Sequence, residues 1–175
     1  MGGGVGRFRT IGKRASLDNN KGPIGESVMF SKILCGVDGS EHASKAADLA
    51  SQLAARCQAK LTFLTVTKEL KMTDEVKRYI EVEHLAGTPQ YVLDEFTEGV
   101  IQKAKDAARA AGVADIGAEI KVGNPSRAIV DFAKRGDYDA IVLGSRGLGD
   151  VGGFLLGSVS HKVANLAGCT VITVK

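Results

Sequence analysis

The sequence has no tryptophan, few aromatic residues, only three cysteines and no long apolar run. Its longest apolar candidates, around Leu61–Val66 and Val171–Val174, are strand-sized. A helix that crosses a bilayer needs ~20 such residues in succession, so a membrane-spanning role is excluded. Cys35, Cys57 and Cys169 are odd in number, far apart and set in apolar stretches. That pattern excludes a disulfide scaffold and a zinc cluster, and leads us to expect buried free thiols in a reducing, cytoplasmic setting. A strong charge of one sign is also missing. The net +3 is accounted for by residues 1–28, where Arg7, Arg9, Lys13, Arg14 and Lys21 face only Asp18 and Glu26. Residues 29–175 are therefore neutral, without the clustered basic surface that nucleic-acid binding requires.

What remains is the composition of one ordinary globular domain, 44% hydrophobic and 25% charged. Residues 1–28 read as a flexible basic N-terminal extension, because their scattered apolar residues follow no period and cannot repay the entropy of ordering. They lack the apolar core of a secretion signal. Gly6–Lys13 imitates a phosphate-binding P-loop, but five residues separate Gly6 from Gly12 and Arg14 stands where Ser or Thr is needed. The domain proper is expected over 29–175.

From Phe30 onward, short β-branched runs alternate with stretches of helical period, the pattern of a parallel sheet wrapped by helices. Strands are expected at Lys32–Val37, Lys60–Thr67, Ala118–Val122, Asp139–Leu143 and Thr170–Val174. After the first, Ala43, Ala46, Ala47, Ala50, Leu53 and Ala54 share one helical face, with Ser40 as N-cap. After the second comes a polar, helix-friendly stretch. Thr88-Pro89 then opens a long helix to about Ala111, and Asn124-Pro125 opens another that stops near Gly136. A last helix is expected over Ser158–Ala167. The fold class is α/β: a three-layer α/β/α sandwich, doubly wound around a five-stranded parallel sheet.

The segment Gly144 to Ser158 carries six glycines in fifteen residues, between a buried strand and a helix. Glycine at the carboxyl end of a strand lets the backbone turn sharply and approach a ligand closely. Gly157-Ser158 would present unpaired N–H groups at the positive end of a helix dipole, a seat for an anion such as phosphate. Gly144, Gly147, Gly157 and Ser158 fit a G-x2-G-x9-G-[S/T] pattern, and the segment resembles the nucleotide motif of ATP-binding universal stress proteins. The run Ile33 to Ser40 is similar to that family's first strand and Asp-Gly-Ser turn, and Gly123-Asn124-Pro125 to its turn before the third helix.

The resemblance spans Phe30 to Lys175 and implies an adenine-nucleotide alpha-hydrolase-like fold. It implies that Asp38, with Gly36 and Val37 beside it, meets the adenosine or a phosphate-bound Mg2+, and that Val66 contacts adenine. Leu143 and Gly144 would line the ribose, Gly147 and Gly157 would give amide donors to phosphates, and Ser158, Val159 and Ser160 would complete the cradle. Arg146 and Lys162 could bring charge to the phosphates, or stand as solvated surface cations. Two departures from the family pattern are Thr65-Val66, where many relatives carry His-Val, and Cys169-Thr170, where they often carry Cys-Pro.

His42, His84 and His161 lack metal-ligand spacing and read as surface helix residues. No Gly-x-Ser-x-Gly elbow appears, and Gly144-x-x-Gly147-x-Gly149 reverses the dinucleotide fingerprint, so a hydrolytic triad and nicotinamide chemistry are disfavoured. Thr170–Val174 has no proline or internal charge to blunt a sheet edge, and relatives commonly pair this strand in a homodimer. The expected function is a regulator that binds ATP with Mg2+. AMP and cyclic AMP stay open as ligands, and a nucleotide-free interaction module or a slow ATPase stay open as alternatives.

Overall fold

The computed structural model describes residues 29–67, 89–148 and 156–175, with backbone alone for 89–94. The chain runs β1 (Lys32–Gly36), α1 (Glu41–Cys57), β2 (Lys60–Thr67), α2 (Pro89–Ala110), β3 (Ile116–Val122), α3 (Pro125–Arg135), β4 (Ala140–Gly144), α4 (Ser158–Leu166) and β5 (Thr170–Val174). The five strands form one parallel sheet in the order β3-β2-β1-β4-β5, as expected for a doubly wound fold. The N-terminal extension, the stretch after β2, the Thr88 cap, His84 and Gly149 lie outside the described residues.

Both faces of the central strands are covered, which is why β1 and β4 are apolar without alternation. Ile33 and Cys35 of β1 and Val142 of β4 pack under Ala46, Ala50 and Ala54 of α1 and Ala104 and Ala108 of α2. Leu34, Ile141 and Leu143 face the other way, onto Ile129 and Ala133 of α3 and Val163 of α4. The alanine stripe of α1 lets that helix ride close to the sheet, and its start is capped by Ser40, whose side chain accepts from Ala43 N–H. Asn124 caps α3 in the same way through Arg127 N–H, with Pro125 in the first turn.

Several boundaries differ from expectation. β3 begins at Ile116, ahead of Ala118, because Ile116 pairs with Leu61 and continues the ladder of β2. Cys35 is fully buried, and burial together with the charge of Asp48 pushes its thiol far up, so it is inert. Cys57 and Cys169 are only half-buried, since one ends α1 and the other enters the edge strand β5. All three are free. Among the described residues no helix is long and apolar enough to cross a membrane.

Asp139 lies just outside β4 rather than within it, and there it ties the lower ends of β1 and β4 together. Its Oδ2 accepts from Ser31 N–H at 2.6 Å, Ser31 O–H at 2.7 Å and Lys32 N–H at 2.7 Å. Burial alone would raise this carboxyl. The donors from Ser31 and Lys32, with the Lys32 charge, outweigh that effect and hold it below the usual carboxylate range. A carboxyl lowered by folding stabilises the protein above its unfolded pKa and loses that stabilisation as pH falls through the folded one. Asp139→Asn should therefore cost about 1–3 kcal/mol in urea unfolding at pH 7. The gap from wild type should close in acid, where Asp139 itself is protonated.

Candidate functional site

β1 lies between β2 and β4, so the chain leaves it toward one half of the sheet and later returns to the other. At that reversal the carboxyl ends of β1 and β4 stand side by side, with Gly36 paired to Leu143. The loops leaving them part to opposite faces and open a crevice, the usual ligand position in a doubly wound sheet. The crevice holds about 810 Å3, and its walls come from the ends of β1, β2 and β4, from α3 and from the start of α4.

On the β1 side, Asp38 turns the chain into α1. Its Oδ1 accepts from Ser40 N–H at 3.0 Å, while Gly39 takes a φ of +85° that a side chain would strain. Gly144 is a glycine for a different reason: a Cβ there would meet the backbone of His42 at 2.7 Å and of Ala43 at 2.8 Å. The first turn of α1 thus rests directly on the end of β4. This close seating brings His42 Nδ1 within 2.9 Å of the hydroxyl of Ser145, which is buried. His42 is a half-buried partner of Ser145, not the surface residue its helical position suggested. No local signal pairs two residues from such distant segments.

On the β4 side, the loop is pinned at both limbs. Ser145 N–H donates to Val174 O at 2.6 Å, and Gly157 N–H donates to Ser145 O at 2.7 Å. Gly157 therefore spends its own amide inside the loop, unlike the expected phosphate donor, and what it brings to the crevice is the lack of a side chain. The first intrahelical bond of α4 is His161 N–H to Gly157 O, so the amides of Ser158, Val159 and Ser160 precede the ladder and have no intrahelical acceptor. Gly157 caps without a side-chain bond, and no acidic residue stands in the first turn. Ser160 O–H donates to Gly144 O at 2.7 Å, a bond that locks α4 to β4. The arrangement leaves three amides and a helix dipole aimed at the crevice, which is a seat for an anion.

Gly36, Val37, Asp38, Val66, Leu143, Gly144, Arg146, Gly147, Gly157, Ser158, Val159 and Ser160 all line this one crevice. Sequence reading does not reveal the α3 wall, Pro125 and Ile129. His161 and Lys162 are exposed on α4, and both also line the crevice, as the charge-bearing alternative for Lys162 allows. The amphipathic pattern of α3 was visible, but which part of its apolar face stays uncovered by the sheet was not.

The model of the universal stress protein family matches residues 29–175. A universal stress protein of Bacillus subtilis (strain 168) is 34% identical over 154 residues, covering 84% of this chain and all of that relative. The chain belongs to the universal stress protein family. One from Thermus aquaticus is 35% identical over 151 residues, again 84% of this chain and all of the relative. Among solved structures, a universal stress protein in complex with cAMP is 29% identical with a TM-score of 0.63, over 84% of this chain and 98% of that one. A universal stress protein of Lactobacillus plantarum has the same identity and TM-score, over 83% and 97%.

Both departures from the family pattern spare the crevice of this universal stress protein. Thr65 is buried, its hydroxyl without a partner among the described residues, on the sheet face opposite Val66, so of the two only Val66 reaches the wall. Thr170 N–H donates to Asp139 O at 3.1 Å, a bond that proline could not make. The glycines separate by experiment. Gly144→Ala forces backbone against backbone and should lose about 1–3 kcal/mol in urea unfolding. Gly157→Ala, whose Cβ would sit 3.2 Å from Ser145 O at an ordinary φ of −65°, should stay within about 1 kcal/mol of wild type.

Proposed function

We propose that this universal stress protein binds ATP and acts as a nucleotide-dependent regulator of a stress response in the cytoplasm. The observation that carries the reading is the uncapped start of α4, with the Ser158, Val159 and Ser160 amides at one end of a crevice whose other wall is apolar. Phosphate oxygens suit the first and adenine suits the second, where Val37, Leu64, Val66 and Ile129 gather. A similar universal stress protein in complex with cAMP supports an adenine nucleotide as the ligand class. In this reading Leu143 and Gly144 meet the ribose, and Arg146 and Gly147 stand over the phosphates.

Mg2+ would enter on those phosphates and neutralise their charge. Among the described residues Asp38 is the single carboxylate lining the crevice, and each of its oxygens already accepts one backbone N–H. A carboxylate oxygen has two lone pairs, so Asp38 keeps room for one further contact on each oxygen. That fits Mg2+, which takes one or two carboxylates beside phosphates and water. Among the described residues no three carboxylate, histidine or cysteine side chains gather to hold a metal without phosphate. Nor do the described residues poise a general base over the crevice: Asp38 is tied to backbone donors and the His161 ring lies toward Asn165. Occupancy rather than rapid turnover is therefore the signal.

The partner is a second copy of the chain. β5 is an edge strand whose residues are half-buried or exposed, and Thr170–Val174 lacks anything to deter pairing. A two-fold dimer joined through β5 should sediment at twice the monomer mass at micromolar concentration, and sedimentation as a monomer refutes it.

Gently purified protein should carry adenine nucleotide detectable by mass spectrometry. Gly157→Val puts a branched side chain between the amides of α4 and a phosphate, and should weaken ATP binding in calorimetry by more than about tenfold. Unchanged affinity in this variant contradicts the assignment of the seat. Failure of wild type to bind any adenine nucleotide favours the nucleotide-free interaction module.

A further inference from the structure

The contact that ties the two sides of the crevice together is made by Asp38. Its Oδ1 closes the local turn on Ser40 N–H, and its Oδ2 accepts Leu148 N–H at 3.2 Å from the opposite loop. Ser40 adds a longer bond in the same direction, Oγ to Arg146 O at 3.4 Å. Gly147 lies between these attachments, and a Cβ on it would stand 2.5 Å from Asp38 Oδ2 with no backbone atom in the way. The obstacle to a side chain at 147 is thus the carboxylate itself. Below this point the loop is fixed to the sheet by Ser145 N–H on Val174 O. Asp38 is the further point that fixes where residues 146–148 stand relative to β1.

We propose that Asp38 is a positioning residue that latches the glycine loop through the Leu148 amide, and that position 147 is glycine to admit the Asp38 carboxylate. The latch sets the width of the crevice mouth before any ligand arrives. Ordering these loop residues in advance spares a ligand that cost, so the latch favours binding through shape, independently of any metal. The inference stands on the geometry of the loop and draws on the nucleotide reading only in its last measurement.

Amide hydrogen exchange, followed residue by residue on the ligand-free protein, tests it. Asp38→Ala should speed exchange at Leu148 by about tenfold, the scale expected for releasing one ordered backbone unit, and leave the amides of Cys35 and Val142 unchanged. Gly147→Ala, which displaces the carboxylate without altering it, should do the same. The double variant should exchange no faster at Leu148 than either single one, because the two changes remove the same contact. Multiplying effects, or an unchanged Leu148 rate in Asp38→Ala, overturn the latch. Those rates decide the matter even if the protein binds no nucleotide. Where ATP does bind, Asp38→Ala should weaken it in EDTA as well as in Mg2+, with a further loss in Mg2+ from the metal contact of the proposed function. A loss confined to Mg2+ would make Asp38 a metal contact alone and overturn the positioning role.

Discussion

Every feature of the crevice depends on the parallel pairing of β1 with β4. Gly36 and Leu143 are far apart in the chain, yet the ladder sets them side by side and aims both strand ends at the same point. Because the chain departs from these strands in opposite directions, the described residues leave the space above them open. The pairing is secured from below as well. Three donors from Ser31 and Lys32 converge on one oxygen of Asp139, immediately before β4. A slip of one residue would exchange the two buried faces and break that junction, so the register is strongly specified.

Glycine serves three separate physical needs around this point. At 144 it admits the backbone of α1, at 39 it adopts a left-handed turn, and at 147 it admits a carboxylate. Only the second is conformational. A motif written in glycines conceals these differences, since close packing and ligand approach both ask for the absence of a Cβ. Gly157 shows the same ambiguity from the donor side: its amide is consumed by Ser145 O, and the open donors belong to the residues that follow it.

The sheet was legible because strands buried on both faces are short, continuous apolar runs, and the helices because their caps, Ser40 and Asn124, are written locally. Convergence of Asp38 with the glycine loop was legible too, from the rule that ligands gather where strand order reverses. What escaped was whatever depends on a specific meeting of distant side chains. His42 looked like an exposed helical residue because the approach of α1 to Gly144 cannot be read from either segment alone. Likewise Cys57 and Cys169 sit in apolar stretches, but at the end of a helix and at an edge strand, where an apolar neighbourhood in sequence is not burial in space.

The electrostatics of the crevice run against the neutrality of the whole domain. His161 and Lys162 follow directly on the open amides of α4, at the positive end of its dipole, where basic side chains are unfavourable. Arg146 approaches from the facing loop, and Lys162 forms no ion pair among the described residues. A helix stabilised only for its own sake would carry an acid in that first turn. Among the described residues, Lys162 and the open amides of α4 stand against one carboxylate committed to backbone donors, a local field that a multiply charged anion relieves. The apolar floor of β1, β2 and α3 then restricts which anions can profit: one bearing a flat, largely apolar group gains from both ends of the crevice, whereas inorganic phosphate gains from one.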